Sequence, residues 1–401
     1  MPATDYQGTS VPLAFFGRSI LSIRRNQVVS MEGNHEQELE DFELFQKHVA
    51  DRLADLASSD SKDDREDGLL SLPWLRKLLD FFLSCEEEFK AMLILGRNPT
   101  HISRPPLDRL ITELLDRAVK ALDVCNAITD GIDSIHHWRK QAEIAVSALE
   151  QRPLGEGQFR RAKRALTALV ASMTIDDKDG QNRAAERTWS FGRKGNGSAT
   201  AIKEHGNRHV RSFSWSVSRT WSASKQMQAM ANNLAAPRGA ELNGLALPIY
   251  TMGTILLFVM WALVAAIPCQ DRSGLNMHFP LPPRQLAWAG PLISLQERIA
   301  EEWRKKEKKG SVGLMEELHE LERCANGLME LTDTTQFPVE ADQMDQIRTQ
   351  AGDLAQACRT MEEELIPFRR QVREVFHRIV NSRTEVLDCL NQATRLPTTV
   401  L

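Results

Sequence analysis

Apolar residues recur at intervals of three and four positions along most of the chain, a spacing typical of one face of an α-helix. The pattern over 36–57 predicts the first amphipathic helix. Further periodic segments predict helices or helical pieces at 73–95, 107–128 or slightly beyond, 132–149, 157–173, 291–309 and 312–331. Ser71 is the expected N-cap of the helix that starts with Pro73, because a serine hydroxyl accepts a hydrogen bond from the first helical turn. The sequence therefore predicts an all-α fold, arranged as an elongated multi-helix bundle.

The clearest periodic pattern lies near the carboxyl terminus, over 341–394. Two positions of a seven-residue repeat are mostly apolar, and they include Leu354, Met361, Phe368 and Val375 at one position and Cys358, Leu365, Val372, Ile379 and Val386 at the other. This pattern predicts a long carboxyl-terminal helix that packs at coiled-coil angles, with a kink at Pro367. We expect it to pack on the chain's own helices rather than on a partner, because its apolar stripe is no wider than a bundle needs.

The segment 242–269 carries no charged residue after Glu241. Its central part, 245–267, is long enough to cross a bilayer, since a transmembrane helix needs about 20 apolar residues. However, Pro248, Thr251, Gly253 and Thr254 dilute its first half. Two interpretations stay open: a single membrane span, or a core helix that its neighbours surround, which is slightly favoured. The residues that mark this candidate membrane segment are Leu245, Ile255, Phe258, Trp261 and Ile267.

Between residues 175 and 220 the helical pattern disappears, and Gly, Ser, Asn, Arg and Lys predominate. From Arg183 to Arg238 there are ten Lys or Arg residues and two Glu residues, a net charge of +8, so the rest of the chain carries −12. The pattern predicts a disordered basic central loop. The chain then divides into an amino-terminal extension (1–35), a helical bundle (36–174), the basic linker (175–220), a helix with the hydrophobic segment (221–270) and a carboxyl-terminal helical region (271–401).

Arginine and tryptophan alternate at the end of the basic linker, and the candidate lipid-contact residues are Arg208, Arg211, Trp215, Arg219 and Trp221. Basic residues attract anionic membrane lipids, and tryptophan favours the membrane interface. The alternative, which we favour, is a solvated linker ending in a helix whose tryptophans pack on the bundle. Nucleic-acid binding is not expected, since no recognition motif accompanies these residues.

Ser212 and Ser214 are candidate phosphorylation sites within this basic stretch. Ser212 follows Arg211 directly and lies four positions after Arg208, a context that basic-directed kinases favour. A phosphate would add a charge of about −1.5 to −2 and weaken any contact with anionic lipids.

The sequence contains no set of residues that predicts catalysis. The six cysteines are scattered, without a C-x-x-C pair, which indicates reduced thiols and neither a disulfide framework nor a zinc site. His205 and His209 have the spacing of a metal pair but no third ligand nearby. We therefore expect a protein that is not an enzyme and has no cofactor, metal or small-molecule substrate. Without a signal-peptide pattern in the first 30 residues, we expect a cytosolic and membrane-associated protein, or a single-pass membrane protein.

Two long strings, 215–241 and 257–272, resemble the plant ROH family, whose relatives include the BYPASS proteins. The segments 17–25, 113–127 and 154–165 support this resemblance, which covers nearly the whole chain. It implies a non-enzymatic protein that binds Exo-seventy-type subunits of the exocyst, the vesicle-tethering complex. It also implies a role in polarised secretion, such as the deposition of mucilage or cell-wall polysaccharide. Apolar strips exposed on the carboxyl-terminal helix, or the basic loop, are the interface candidates. The alternative is a membrane-associated, BYPASS-like regulator of a root-to-shoot developmental signal.

Overall fold

The computed structural model describes residues 31–58, 68–94, 102–174, 221–239, 244–269, 279–307 and 313–395. Within these ranges there are nine α-helices and no β-strand, which confirms the all-α prediction. The predicted disordered loop, 175–220, lies outside the described residues, as do the first 30 residues of the amino-terminal extension. The helices are α1 Met31–Ser58, α2 Leu72–Ile94, α3 Leu107–Leu149, α4 Glu156–Thr174, α5 Ala223–Ala231, α6 Ala246–Ala266, α7 Ala289–Glu307, α8 Glu316–Thr334 and α9 Ala341–Arg395.

Helix α3 lies at the centre of the bundle and packs against α4, α5, α6 and α9. Ion pairs fix the directions of the long helices. Arg139 and Asp133 on α3 pair with Glu362 and Arg369 on α9, at 2.8 and 2.9 Å, so these two helices run antiparallel. Arg76–Glu364 and Lys90–Glu385 pairs run in the same order on α2 and α9, so these helices are parallel. Buried residues of all nine helices contribute to one hydrophobic core.

The start of α2 confirms the predicted cap. The backbone N–H of Trp74 donates to the Ser71 hydroxyl at 3.2 Å, and Pro73 lies in the first turn. A second cap comes from a distant element, because the Leu72 N–H donates to the Glu317 carboxylate of α8 at 2.7 Å. Sequence reasoning missed this cap, since nothing local links residues so far apart.

The two pieces predicted at 107–128 and 132–149 form one continuous helix, α3, which passes through Gly131. This glycine lies against the end of α6. A Cβ atom there would come within 2.7 Å of the Ile267 side chain and would also collide with the Pro268 carbonyl oxygen. The glycine therefore permits close packing of α3 on α6 instead of ending a helix.

Helix α6 contains most of the uncharged segment, and the structure places it in the core. It packs against α1, α2, α3, α5 and α7, and every residue except Leu247 is buried. The five residues that mark the candidate membrane segment are between 0 and 4% exposed: Leu245, Ile255, Phe258, Trp261 and Ile267. By length and composition α6 qualifies as a membrane span, but its whole apolar window is buried inside the protein. The fold thus corresponds to the core-helix interpretation.

The polar residues of α6 find partners inside the bundle. The Thr251 hydroxyl donates to Gln46 Oε1 at 3.1 Å, and the indole N–H of Trp288 donates to the same oxygen at 2.6 Å. Thr254 donates to the Tyr250 carbonyl at 2.9 Å. At the other end, the N–H groups of residues 314 and 315 donate to the carbonyls of residues 265 and 266, at 3.1 and 3.3 Å. The bonds to Thr251 and to the carbonyls of residues 265 and 266 come from other parts of the bundle, so a position of α6 in a bilayer would break them.

Candidate interaction surface

Six predicted site residues lie outside the described residues: Arg208, Arg211, Ser212, Ser214, Trp215 and Arg219. Trp221, the remaining candidate lipid-contact residue, is only 9% exposed and belongs to the hydrophobic core. Its side chain packs on the bundle just before α5, as the alternative to lipid contact anticipated. The lipid-contact prediction therefore does not hold for Trp221, because a buried indole cannot reach a membrane interface.

Arg117 fixes the point at which the chain re-enters the bundle after the basic linker. Its guanidinium donates to the carbonyls of Met230 and Asn232, at 3.0 and 3.2 Å, and so ties the end of α5 to α3. Burial lowers the pKa of Arg117, and the nearby Glu113 carboxylate, at 3.7 Å, partly offsets this effect. Sequence reasoning missed this anchor, because an arginine on a helix is usually solvated.

Helix α9 presents the longest continuous exposed stripe among the described helices. At 55 residues it is roughly 80 Å long. Its predicted repeat residues face inward, with Leu354, Met361, Phe368 and Val375 all 0% exposed. The opposite face, called here the α9 outer surface, consists of Gln356, Arg359, Glu363, Ile366, Arg370, Arg373 and His377.

The expected apolar strips on this helix are absent from the α9 outer surface, which is mainly charged. Ile366 is its one large apolar side chain and is 58% exposed. The next residue, Pro367, lies inside the helix and has no N–H group. The carbonyl of Glu363 therefore loses its intrahelical donor beside Ile366. An exposed apolar side chain beside a helix carbonyl that lacks its usual i+4 donor is suited to contact with another protein.

Polar contacts hold α9 rigidly on the bundle. Glu86 accepts hydrogen bonds from Ser382 and, at 3.5 Å, from Arg378. Burial raises the pKa of Glu86, while these two partners oppose that shift. With the ion pairs to α2 and α3, they fix the position of α9, so its outer surface is organised before any partner binds.

A polar cleft of about 2050 Å³, part of it open to solvent, lies where α2, α8 and α9 meet. Glu317 stands at its wall, and burial raises the pKa of this carboxyl to about 7. Arg76 pairs with Glu364 across the cleft at 3.1 Å. The described residues contain no group of three His, Cys, Asp or Glu side chains placed to hold a metal ion. Burial raises the pKa of the Cys85 and Cys125 thiols to about 12, so neither is a reactive thiolate at neutral pH.

Comparison with known proteins gives a consistent result over the full length. The sequence profile described as "Protein ROH1-like" matches residues 1–390. The chain is 50% identical to Protein ROH1A of Arabidopsis thaliana, over 100% of both chains, and 46% identical to Protein ROH1D of the same plant, over 98% of this chain and 99% of that protein. It is 22% identical to UPF0496 protein 4 of Oryza sativa subsp. japonica, over 76% of this chain and 56% of that protein. No solved structure matches. The family carries the name of a protein and not of an enzyme, and this chain belongs to the ROH1-like family.

Proposed function

We propose that this protein is a non-enzymatic interaction protein that binds an Exo-seventy-type exocyst subunit and thereby modulates vesicle tethering and polarised secretion. The observation that carries the proposal is the α9 outer surface, a long, rigid and exposed helical face with Ile366 near its middle. Membership of the ROH1-like family supports it, since the resemblance to that family implies exocyst binding.

Helix-on-helix contact is the proposed mode of binding. An α-helix recognises a second helix through residues that recur at three- and four-residue steps, and the α9 outer surface has this spacing. Its charges alternate in sign around Ile366, with Glu363 on one side and Arg370 on the other. Such a face selects a partner by charge complementarity, while one apolar anchor supplies affinity.

The direct test is a binding titration of the purified chain against a panel of Exo-seventy-type subunits. We expect saturable binding of at least one subunit, and a loss of roughly tenfold or more in affinity for the Ile366→Asp variant, because truncation of a central anchor costs about 2 kcal/mol. Leu44→Asp is the matched control. Leu44 is a 40% exposed leucine on α1, away from α9, and its replacement should leave binding unchanged.

Two results would contradict the proposal at different levels. Absence of binding to every subunit, with helical content intact by circular dichroism, would remove the exocyst function. Equal binding by wild type and Ile366→Asp would keep the function but place the interface elsewhere on the chain.

The second candidate function is a membrane-associated regulator of the BYPASS type. The observation in its favour is α6, one helix that is long and apolar enough to span a bilayer. Since α6 is buried in the bundle, this function requires either that α6 leaves the bundle or that other parts of the chain, such as the basic linker, contact the membrane. Binding of the full chain to anionic vesicles, without binding to any exocyst subunit, would favour this alternative.

A further inference from the structure

The connection that leads into α7 contains a short proline-rich stretch, 279–284, called here the proline segment. It reads Phe-Pro-Leu-Pro-Pro-Arg. Proline fixes φ near −65°, and a residue that precedes proline is restricted to extended conformations. Phe279, Leu281 and Pro282 each precede a proline, and the X–Pro bonds of the segment are trans. The sequence therefore favours a left-handed polyproline II helix of about two turns.

One edge of this segment is attached to the bundle. A polyproline II helix has three residues per turn, so residues three positions apart share an edge. Phe279 packs edge-to-face on Trp261 of α6, with ring centroids 5.3 Å apart. Pro282, three positions later, is buried. The edge formed by Phe279 and Pro282 therefore faces the protein.

The other two edges face outward. Leu281 and Arg284 share one of them, and both are exposed. Leu281 is 69% exposed, more than any other large apolar side chain in the described part of the chain. Pro280 and Pro283 share the other edge and are partly exposed. The pattern of burial thus repeats every three residues, as a polyproline II helix requires.

The chain after the proline segment is also held in place. The Leu286 N–H donates to the Pro283 carbonyl at 3.0 Å, which closes a turn. Trp288 is 0% exposed and donates to Gln46 on α1 at 2.6 Å. With Phe279 packed on α6, both ends of the segment are anchored. Its conformation is therefore organised before any partner binds, which lowers the entropy cost of binding.

We propose that the proline segment is a docking site for an SH3-type domain, whose groove is lined by aromatic residues and carries carboxylates at one end. Such a groove receives two edges of a polyproline II helix and leaves the third edge outside. Here the two outward edges enter the groove, and the third edge is the one that the bundle covers. Leu281 supplies the apolar contact, and the Arg284 guanidinium pairs with the carboxylates. This site is separate from the α9 outer surface and does not depend on the proposed exocyst function.

The test is calorimetric titration of the full chain with a panel of purified SH3 domains that have acidic residues at one end of the groove. We expect saturable one-to-one binding of at least one domain. The Leu281→Glu and Arg284→Glu variants should each bind it roughly tenfold or more weakly, because each removes a central contact of the groove. Both side chains are exposed, so helical content by circular dichroism should be unchanged. Absence of binding to every domain, or equal binding by the wild type and both variants, would overturn the proposal.

A matched arginine separates docking from general charge attraction. Arg238 is exposed and also follows a proline, but the residues before it, 234–236, contain no second proline. Arg238→Glu should therefore leave binding unchanged. An equal loss in Arg238→Glu and Arg284→Glu would show that net charge alone attracts the domain, and would overturn the proposal.

Two further measurements identify the class of partner and the surface. Ile366→Asp, which alters the α9 outer surface, should leave SH3 binding unchanged; a loss there as large as in Leu281→Glu would place the contact on α9 and overturn the proposal. WW domains also bind proline-rich segments. If only WW domains bind, and Arg284→Glu binds them as the wild type does, the proposed pairing with carboxylates is wrong and the SH3 assignment is overturned.

Discussion

Helices α6 and α9 differ in how apolar residues are distributed around them, since α6 is apolar on all sides and α9 on one side only. Helix α6 has no charged residue in its 21 positions and is surrounded by five other helices. Helix α9 has 55 positions, one buried stripe and an outer surface that carries charges of both signs. A helix that is apolar all round has no face left for recognition, so its role is to hold the core together. A helix that is apolar on one side retains a face that a partner can contact.

The largest predicted effect comes from a substitution that places a charged side chain in the apolar helix α6. Val259 is 0% exposed, at the middle of the helix. Val259→Lys would bury a charge without a partner, and we expect a loss of about 4 kcal/mol or more in the free energy of unfolding, or failure to fold. Urea denaturation followed by circular dichroism measures this loss.

The matched change on α9 is Gln356→Lys, which introduces the same side chain on the α9 outer surface. Because Gln356 is exposed, we expect a change within about 0.5 kcal/mol. If α6 instead left the bundle to span a membrane, Val259→Lys would have little effect on the stability of the remaining helices. Similar stabilities for the two variants would therefore contradict the core position of α6.

The second prediction compares two helical glycines. Gly131→Ala on α3 should destabilise the protein by about 1–3 kcal/mol, because the new methyl group would collide with the end of α6. Gly352→Ala on α9 should stabilise it by about 0.5–1 kcal/mol, since a Cβ there meets no atom within 4 Å and alanine is the better helix former. Thermal denaturation should show shifts of opposite sign. A shift of the same sign for both would refute the close contact between α3 and α6.

Local patterns were sufficient to predict the elements but not their long-range contacts. The heptad repeat predicted α9 within one residue at its carboxyl end, and Ser71 predicted the start of α2. Hydropathy left α6 undecided, because a core helix and a membrane span have the same composition. What distinguishes them is Gln46, which accepts hydrogen bonds from Thr251 and Trp288, 205 and 242 positions away in the sequence. Such a contact has no signature in a single sequence.

The surface was harder to predict than the core, for a related reason. The repeat on α9 indicated where apolar residues lie, but not how many neighbours would cover them. Helices α2, α3 and α8 together bury the whole stripe, which leaves Ile366 exposed outside the repeat.

The smallest predicted effect concerns the polar cleft beside α9. The pKa of Glu317 rises from 4.5 to about 7 in the folded protein, chiefly because of burial. The folded state therefore binds more protons than the unfolded state between these two values. The free energy of unfolding should fall by about 1 kcal/mol as the pH rises from about 4.5 to about 7, and change little above that. The fall is smaller than the pKa shift alone would give, because water in the open cleft hydrates the charged carboxylate.

Replacement of Glu317 by glutamine should remove this dependence of stability on pH, that is, the slope of the free energy of unfolding against pH. The glutamine oxygen can still accept the Leu72 N–H bond, so the cap of α2 is retained while the charge is lost. Glu320→Gln on the same helix is the control with the opposite sign, because hydrogen bonding to Arg323 lowers the pKa of Glu320. Glu320 therefore contributes stability that is lost as the pH falls through its lowered pKa, below the window of Glu317. Urea denaturation from about pH 3 to about pH 7 covers both windows and separates the two effects. An unchanged slope in Glu317→Gln would mean that this carboxyl is hydrated, and that the contact between α8 and α2 is looser than the 2.7 Å bond to Leu72 indicates.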